Sequence, residues 1–185
     1  MITQYTLSSE ANVTYNPTDK VPVYLLRHGE TDLNARGVLQ GSIEEPLNAV
    51  GRQQAQAAAQ TLSGLGIARI VSSPQSRARQ TADIVAAVLH SSIEENALLR
   101  ERDWGIYEGR PIDERDETGA GVELLSHLNS RACQAFESIT ADLTAPCLVV
   151  AHSGLIKALL AQLCGQAPDV VCNGEIIQLM AQRNA

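Results

Sequence analysis

Three short apolar runs, each giving way at once to a polar turn rich in histidine, arginine or serine, constrain this chain more than any other feature. Val21-Pro22-Val23-Tyr24-Leu25-Leu26 is almost unbroken in its apolarity, and Ala68–Ser72 and Pro146-Cys147-Leu148-Val149-Val150-Ala151 repeat the pattern. Runs of this length without alternation are what strands buried on both faces require. None approaches the roughly 18 apolar residues of a membrane span. Between them lie segments rich in helix formers. One starts from Asn48, a good N-cap residue, and is stopped by Gly64 and Gly66; another opens at Ser73-Pro74 and runs to about His90. A third covers about Val122–Thr140, with Leu124, Leu125, Leu128, Ala132, Ala135, Phe136 and Ile139 at helical spacing, and a fourth covers Gly154–Leu163. Strands alternating with helices specify an α/β fold with a largely parallel sheet and right-handed crossovers.

Weaker signals complete the reading. A strand is expected near Ala97–Arg100, a polar loop from Asp103 to about Ala120, and a last strand, Ile176–Met180, at the edge of the sheet. Residues 1–19 read as a loose polar lead-in closed by Asn16-Pro17, and residues 20–185 as one domain without an interdomain linker. With 44% hydrophobic residues but only 3% aromatics, the core must be built of Ala, Val, Leu and Ile. The net charge of -7 argues against a nucleic-acid-coating protein, and makes a local basic cluster necessary for any anionic ligand. Arginine dominates the basic residues, Lys20 and Lys157 being the only lysines. Cys133, Cys147, Cys164 and Cys172 form no CxxC pair and are expected to be reduced core fillers. The N-terminus has neither a basic n-region nor an apolar h-region, so a cytoplasmic protein that engages no membrane is expected.

In open α/β sheets ligands bind beyond the carboxyl ends of the strands. Here the first strand ends in Arg27-His28-Gly29-Glu30, the second in Ser72-Ser73-Pro74-Gln75-Ser76-Arg77, and the third in Ala151-His152-Ser153-Gly154. Parallel strands would bring two histidines and two arginines to one edge, beside helix N-termini that favour an oxyanion. That set suits phosphoryl transfer to a neutral imidazole, with guanidinium forks on the non-bridging oxygens. The leaving alkoxide needs a proton, and Glu101 and Glu108 are the candidate acids. Ala151-His152-Ser153-Gly154-Leu155 has a passing likeness to a serine nucleophile elbow, but lacks glycine at both flanking positions of G-x-S-x-G.

Leu26-Arg27-His28-Gly29-Glu30-Thr31 through Asn34 resembles the opening motif of the histidine phosphatase superfamily, in its phosphoglycerate mutase-like branch. Four further segments resemble it in order: Glu45-Pro46-Leu47-Asn48 with Gly51; Ser72-Ser73-Pro74 with Arg77-Ala78 and Gln80-Thr81-Ala82; Glu101 with Gly105, Glu108 and Gly109; and Val149-Val150-Ala151-His152-Ser153-Gly154. The resemblance spans about residues 21–180 and implies a three-layer αβα fold. It implies His28 as the phosphorylated nucleophile, Arg27, Arg77 and His152 as the rest of the phosphate pocket, and Glu101 as acid and then base. Asn34 would donate to the phosphoryl oxygens, Gln40 and Gly41 lie on a loop that meets substrate, and N–H groups near Ser153 would add donors. No metal and no other cofactor are implied.

The partner expected is a small phosphorylated metabolite. The segment between Gly109 and Val122 is short, and Arg110–Glu117 carries four acids to two arginines. A short, acid-rich cap favours hydrolysis of a phosphomonoester over shuttling of phosphate between hydroxyls. Phosphoglycerate mutase-type transfer and a non-catalytic phospho-ligand binder on the same fold are the alternatives.

Overall fold

The computed structural model describes residues 2–7 and 20–182. Its elements run β1 (Ile2–Gln4), β2 (Lys20–Arg27), α1 (Asp32–Ala35), α2 (Ala49–Leu62), β3 (Arg69–Ser72), α3 (Ser76–Leu89), β4 (Ile93–Glu95), α4 (Leu125–Thr140), β5 (Cys147–Ala151), α5 (Ser153–Cys164) and β6 (Ile176–Gln182). The strand order is β1-β6-β2-β5-β3-β4. β2, β5, β3 and β4 are mutually parallel, while β6 pairs antiparallel with β2 and parallel with β1.

Alternation along the strands builds the three layers. Val21, Val23 and Leu25 of β2 point with Val149 and Ala151 into a core closed by α4 and α5, through Leu128, Phe136, Leu155 and Leu159. Tyr24 and Leu26 point the other way with Leu148 and Val150, and meet Ala58, Ala59 and Leu62 of α2 and Ala78, Ala82 and Val85 of α3. The alanines on α2 and α3 let those helices lie close to the sheet. Burial of apolar area on both faces is the main stabilising term.

Four sequence expectations need correction. Residues 2–4 are a strand, with Ile2 opposite Ile176, so β1 takes the outer position and β6 lies inside the sheet rather than at its edge. The Asn16-Pro17 closure falls outside the described residues. The strand expected at Ala97–Arg100 is a 3-10 turn over Ala97–Leu99, capped by the Asn96 side chain. The strand lies just before it, at β4, where Glu94 and Glu95 pair with Arg69 and Arg79. Charge of this kind is tolerated on an outer strand, and it hid β4 from an apolar search. The helix expected from Val122 starts at Leu125, because Val122 bridges to Trp104 and Glu123 N–H donates to Asp103 O. Cys147 is buried, which pushes its thiol up to about 12, but Cys172 is exposed rather than a core filler.

Candidate active site

Register brings the chemistry together. Arg27 sits opposite Ala151 and Ser72 opposite Val150, so β2, β5 and β3 end level with one another. The next residues, His28, His152 and Ser73, therefore share one edge of the sheet. His28 N–H donates to Ala151 O at 3.0 Å and Ser73 N–H to Val150 O at 2.9 Å. The two imidazole centroids are 5.1 Å apart.

The turn after β2 can take this path only because two glycines meet. A Cβ on Gly29 would lie 2.3 Å from Gly51 O, and one on Gly51 would lie 2.1 Å from Glu30 O. The first turn of α2 thus packs directly on the backbone of the loop. Asn48 caps α2 by accepting from Gly51 N–H, and its amide donates to Glu30 Oε1. Glu30 is a brace between loop and helix. Thr81 ties in α3, its hydroxyl accepting from Gly29 N–H and donating to Arg77 O.

His28 is 2% exposed, and its Nδ1 is 2.7 Å from Gly29 O. A carbonyl only accepts, so Nδ1 carries the proton and Nε2 keeps its lone pair. Burial, followed by the charges of Arg77 and Arg27, lowers the pKa of His28 well below the ordinary imidazole value. The ring is therefore neutral at pH 7. In His152, Nε2 lies 2.8 Å from Ser73 Oγ. That hydroxyl also accepts from Gln75 N–H at 3.3 Å, which ties the ring to the start of α3. Nδ1 is buried and has no hydrogen-bond partner among the described residues. Burial, then Arg77, His28 and Arg27, lower this pKa as well.

Two arginines, Arg77 buried and Arg27 half-buried, complete the set. Arg77, 1% exposed, donates through Nη1 to Ile43 O and through Nη2 to Gly41 O. Arg27 donates through Nη1 to Val171 O. The Nε atoms of both are buried and have no partner among the described residues. With His152 Nδ1 they form a set of unsatisfied polar atoms at a buried site, and the two Nε–H donors are costly unless an acceptor-rich anion is what the site is built for. Burial lowers both arginine pKa values, opposed first in each case by the charge of Glu101.

The two candidate acids divide cleanly. Glu108 accepts from Ser42 N–H and Ser42 Oγ at 2.7 and 2.6 Å, and from Trp104 N–H. It is spent on pinning two loops together. Glu101 accepts from Arg102 N–H and from Gly154 N–H in the first turn of α5, two residues beyond His152. A Cβ at Gly154 would come within 2.5 Å of Glu101 Oε1, so glycine makes room for the carboxylate. Trp104 is half-buried beneath the Arg102 guanidinium, 4.5 Å from its ring.

The remaining expected residues lie around this set. Asn34 is the N3 residue of a capping box on Thr31, and Gln40 is buried with Oε1 unpartnered. Gly41 has a φ of +51° and offers its carbonyl to Arg77 and Gln75. Ser153 opens α5, whose N-cap, His152, gives no side-chain cap. Sequence reasoning missed three supports. Gln75 bridges Gly41 O and Glu101 N–H. Arg131 donates to the carbonyls of Leu98, Arg100 and Glu101 while paired with Glu123. Asn173 donates to His28 O. Among the described residues no cluster of three or more His, Cys, Asp or Glu is placed to hold a metal ion, and no helix is long and apolar enough to cross a membrane.

The profile of the histidine phosphatase superfamily (branch 1) matches residues 23–178. The chain belongs to the histidine phosphatase superfamily. It is 36% identical over 154 residues to an uncharacterized phosphatase, PhoE, of Bacillus subtilis, covering 80% of each chain. It is 47% identical over 91 residues to a probable phosphoglycerate mutase, GpmB, of Citrobacter koseri, covering 49% of this chain but 42% of that one. A mycobacterial glucosyl-3-phosphoglycerate phosphatase in complex with VO3 superposes with a TM-score of 0.77 at 27% identity, over 85% of this chain and 90% of that one. As a member of the histidine phosphatase superfamily with phosphatase-named relatives, the protein is an enzyme.

A pH dependence follows from the two buried imidazoles. Both titrate well below the ordinary value in the folded state and near 6.5 when unfolded. Above pH 7 neither state binds the protons. As pH falls through 6.5 only the unfolded chain takes them up, so stability is lost by about 1.4 kcal/mol per pH unit for each histidine. Urea unfolding between pH 7.5 and 5 is expected to show this slope, reduced by about half in His28→Ala. A flat profile in the wild type would contradict the neutral-imidazole assignment.

Proposed function

We propose that this protein hydrolyses small phosphomonoesters in two steps through a phosphohistidine on His28. The observation that carries the reading is the locked tautomer: Nδ1 held on Gly29 O, Nε2 free to attack, in a neutral ring beside two desolvated guanidiniums. The Nε2 lone pair forms the bond to phosphorus as the P–O ester bond breaks, and Glu101 in its acid form gives its proton to the leaving oxygen. Glu101 carboxylate then takes a proton from water, whose oxygen attacks phosphorus. The P–N bond breaks, phosphate leaves, and Nε2 regains its lone pair. Arg27, Arg77, His152 and Asn34 donate to the phosphoryl oxygens, and most of the catalysis is electrostatic. Gln40, Gly41 and Ser153 border the ligand.

The VO3 complex of the mycobacterial phosphatase supports a phosphoryl-transfer site on this fold, since vanadate imitates the five-coordinate arrangement at phosphorus. Hydrolysis is preferred over mutase chemistry because the cap is acid-rich, with four acids to two arginines over Arg110–Glu117. Arg102 lies over Trp104 and pairs with Glu117, and Arg110 lies 5.8 Å from the Tyr107 ring centroid. The cap thus offers a second anionic group on the substrate little attraction. The local likeness to GpmB keeps phosphoglycerate isomerisation as the second reading.

The test is phosphate release from a panel of phosphomonoesters in EDTA, with isomerisation of 3-phosphoglycerate measured in parallel. Release from a subset of the panel is the expected result, and isomerisation without release would replace hydrolysis by transfer. Within that panel, Glu101→Gln is expected to slow alkyl phosphates about 100-fold and p-nitrophenyl phosphate far less, because an activated phenolate leaves without a proton. Equal slowing would remove the acid role.

A further inference from the structure

We propose that Asn173, in the turn before β6, is a positioning residue that, together with Thr31, holds the Asn34 amide with its NH2 end toward the phosphoryl group. The proposal rests on the reading of Asn34 as a phosphate donor.

Both amides are oriented by backbone groups that leave no choice. The Thr31 N–H, which can only donate, faces Asn34 Oδ1 at 3.3 Å, and Thr31 Oγ1 lies 3.2 Å from the same oxygen. The Thr31 hydroxyl in turn accepts from Asn34 N–H. On the other side, Asn173 presents its nitrogen to His28 O, a pure acceptor, at 3.0 Å. That same nitrogen is 3.1 Å from Asn34 Oδ1. Its two protons therefore go to the nucleophile's own carbonyl and to Asn34. Asn34 Oδ1 is saturated by three donors, and the Asn34 NH2 is the end left for a ligand oxygen.

The rest of the turn is fastened to the same strand end. Val171 O takes the Arg27 guanidinium, Glu175 O takes Arg27 N–H, and Gly174 N–H donates to Arg27 O. Glu175 carboxylate accepts from Cys172 N–H and holds the turn in shape. Gly174, at a φ of +74°, brings the backbone round to allow these contacts. Residues about 140 positions away in sequence thus hold the phosphate-facing groups of the first motif, and among the described residues of this turn Asn173 is the side chain that bonds to Asn34.

Asn173→Asp gives the cleanest test, because it keeps the shape and replaces the donor by an acceptor. The Asn34 amide must then turn its NH2 toward the introduced carboxylate, which takes it from the phosphoryl group and strips Thr31 N–H of its acceptor. Orthovanadate affinity and kcat/KM are measured in the wild type, Asn34→Ala, Asn173→Asp and the double variant, with thermal midpoints alongside. Each single variant is expected to weaken vanadate binding about 10- to 100-fold, the scale of a hydrogen bond to a charged group. The double variant is expected to be no worse than either single one, since both remove the same donor.

Full additivity would overturn the proposal, because the introduced carboxylate would then act through its charge on Arg27 and His28. An unaffected Asn173→Asp beside an impaired Asn34→Ala would also overturn it while leaving the reading of Asn34 intact. An unaffected Asn34→Ala would remove that reading and the proposal together. Should Asn173→Asp not fold, Asn173→Ala serves in the same cycle: Thr31 still holds the Asn34 amide, so a loss in vanadate affinity smaller than that of Asn34→Ala, absent in the Asn34→Ala background, is expected. A loss that persists in that background would overturn the proposal.

Discussion

Replacing His28 by alanine is expected to lower turnover by about four orders of magnitude or more while the protein still folds. The size of the effect follows from the role: without Nε2 the covalent bond that divides hydrolysis into two steps is lost. The fold should survive because His28 lies beyond the last residue of β2, and its backbone contacts, N–H to Ala151 O and O from Asn173, do not involve the imidazole. Removing a buried neutral ring costs some packing, so a modest fall in thermal midpoint is expected. Orthovanadate should still bind, since Arg27, Arg77 and His152 remain. Near-normal turnover in this variant would remove the nucleophile assignment.

The second large effect sets two physical terms against each other. Gly51 lies in the first turn of α2, where alanine would gain about 1 kcal/mol of helix propensity. Its Cβ, however, would stand 2.1 Å from Glu30 O and 2.6 Å from Glu30 N, both backbone atoms that cannot swing aside as a side chain would. Moving that backbone strains the contacts Glu30 makes, its O from Asn48 N–H and its N–H to Gln54. Overpacking of this kind costs about 1–3 kcal/mol or more, and lost hydrogen bonds about 1 kcal/mol each. The contact wins. Gly51→Ala is expected to lower the thermal midpoint by about 4–8 °C, which corresponds to a net loss of about 2 kcal/mol for a chain of this size. Activity should fall further than stability alone explains, since Gly29 O, which fixes the His28 tautomer, belongs to the same displaced loop. A raised midpoint would show that the loop yields freely.

Much of this was legible in the chain because the informative features are local. Apolar runs followed by charged turns locate β2, β3 and β5, and parallel pairing of those strands is enough to bring His28, Arg77 and His152 to one edge. What was hidden is non-local or lacks a pattern. β4 carries glutamates because it is an outer strand answered by Arg69 and Arg79 on neighbouring elements, so no apolar signal marks it. β1 is three residues long and has meaning only against β6. Glu101 and Glu108 have the same residue type in the same loop; what separates them is Ser42, which claims the Glu108 carboxylate from 66 residues away. Arg131 and Asn173 are single polar residues with no helical or strand periodicity to betray a role. The Asn173-Gly174 dipeptide was a readable turn signal, but its task, reaching back to His28 and Asn34, exists only once β6 lies beside β2.

The central claim is that phosphate passes through His28. It is tested most directly by mixing the enzyme with excess phosphomonoester, quenching within milliseconds in alkali, where a phosphohistidine survives, and mapping the phosphorylated peptide by mass spectrometry. The account predicts a phosphoryl group on His28 that forms and decays at rates consistent with turnover, is lost on acid treatment, and is absent from His28→Ala. An actively hydrolysing enzyme that carries no phosphoryl group, or carries one on another side chain, would contradict it.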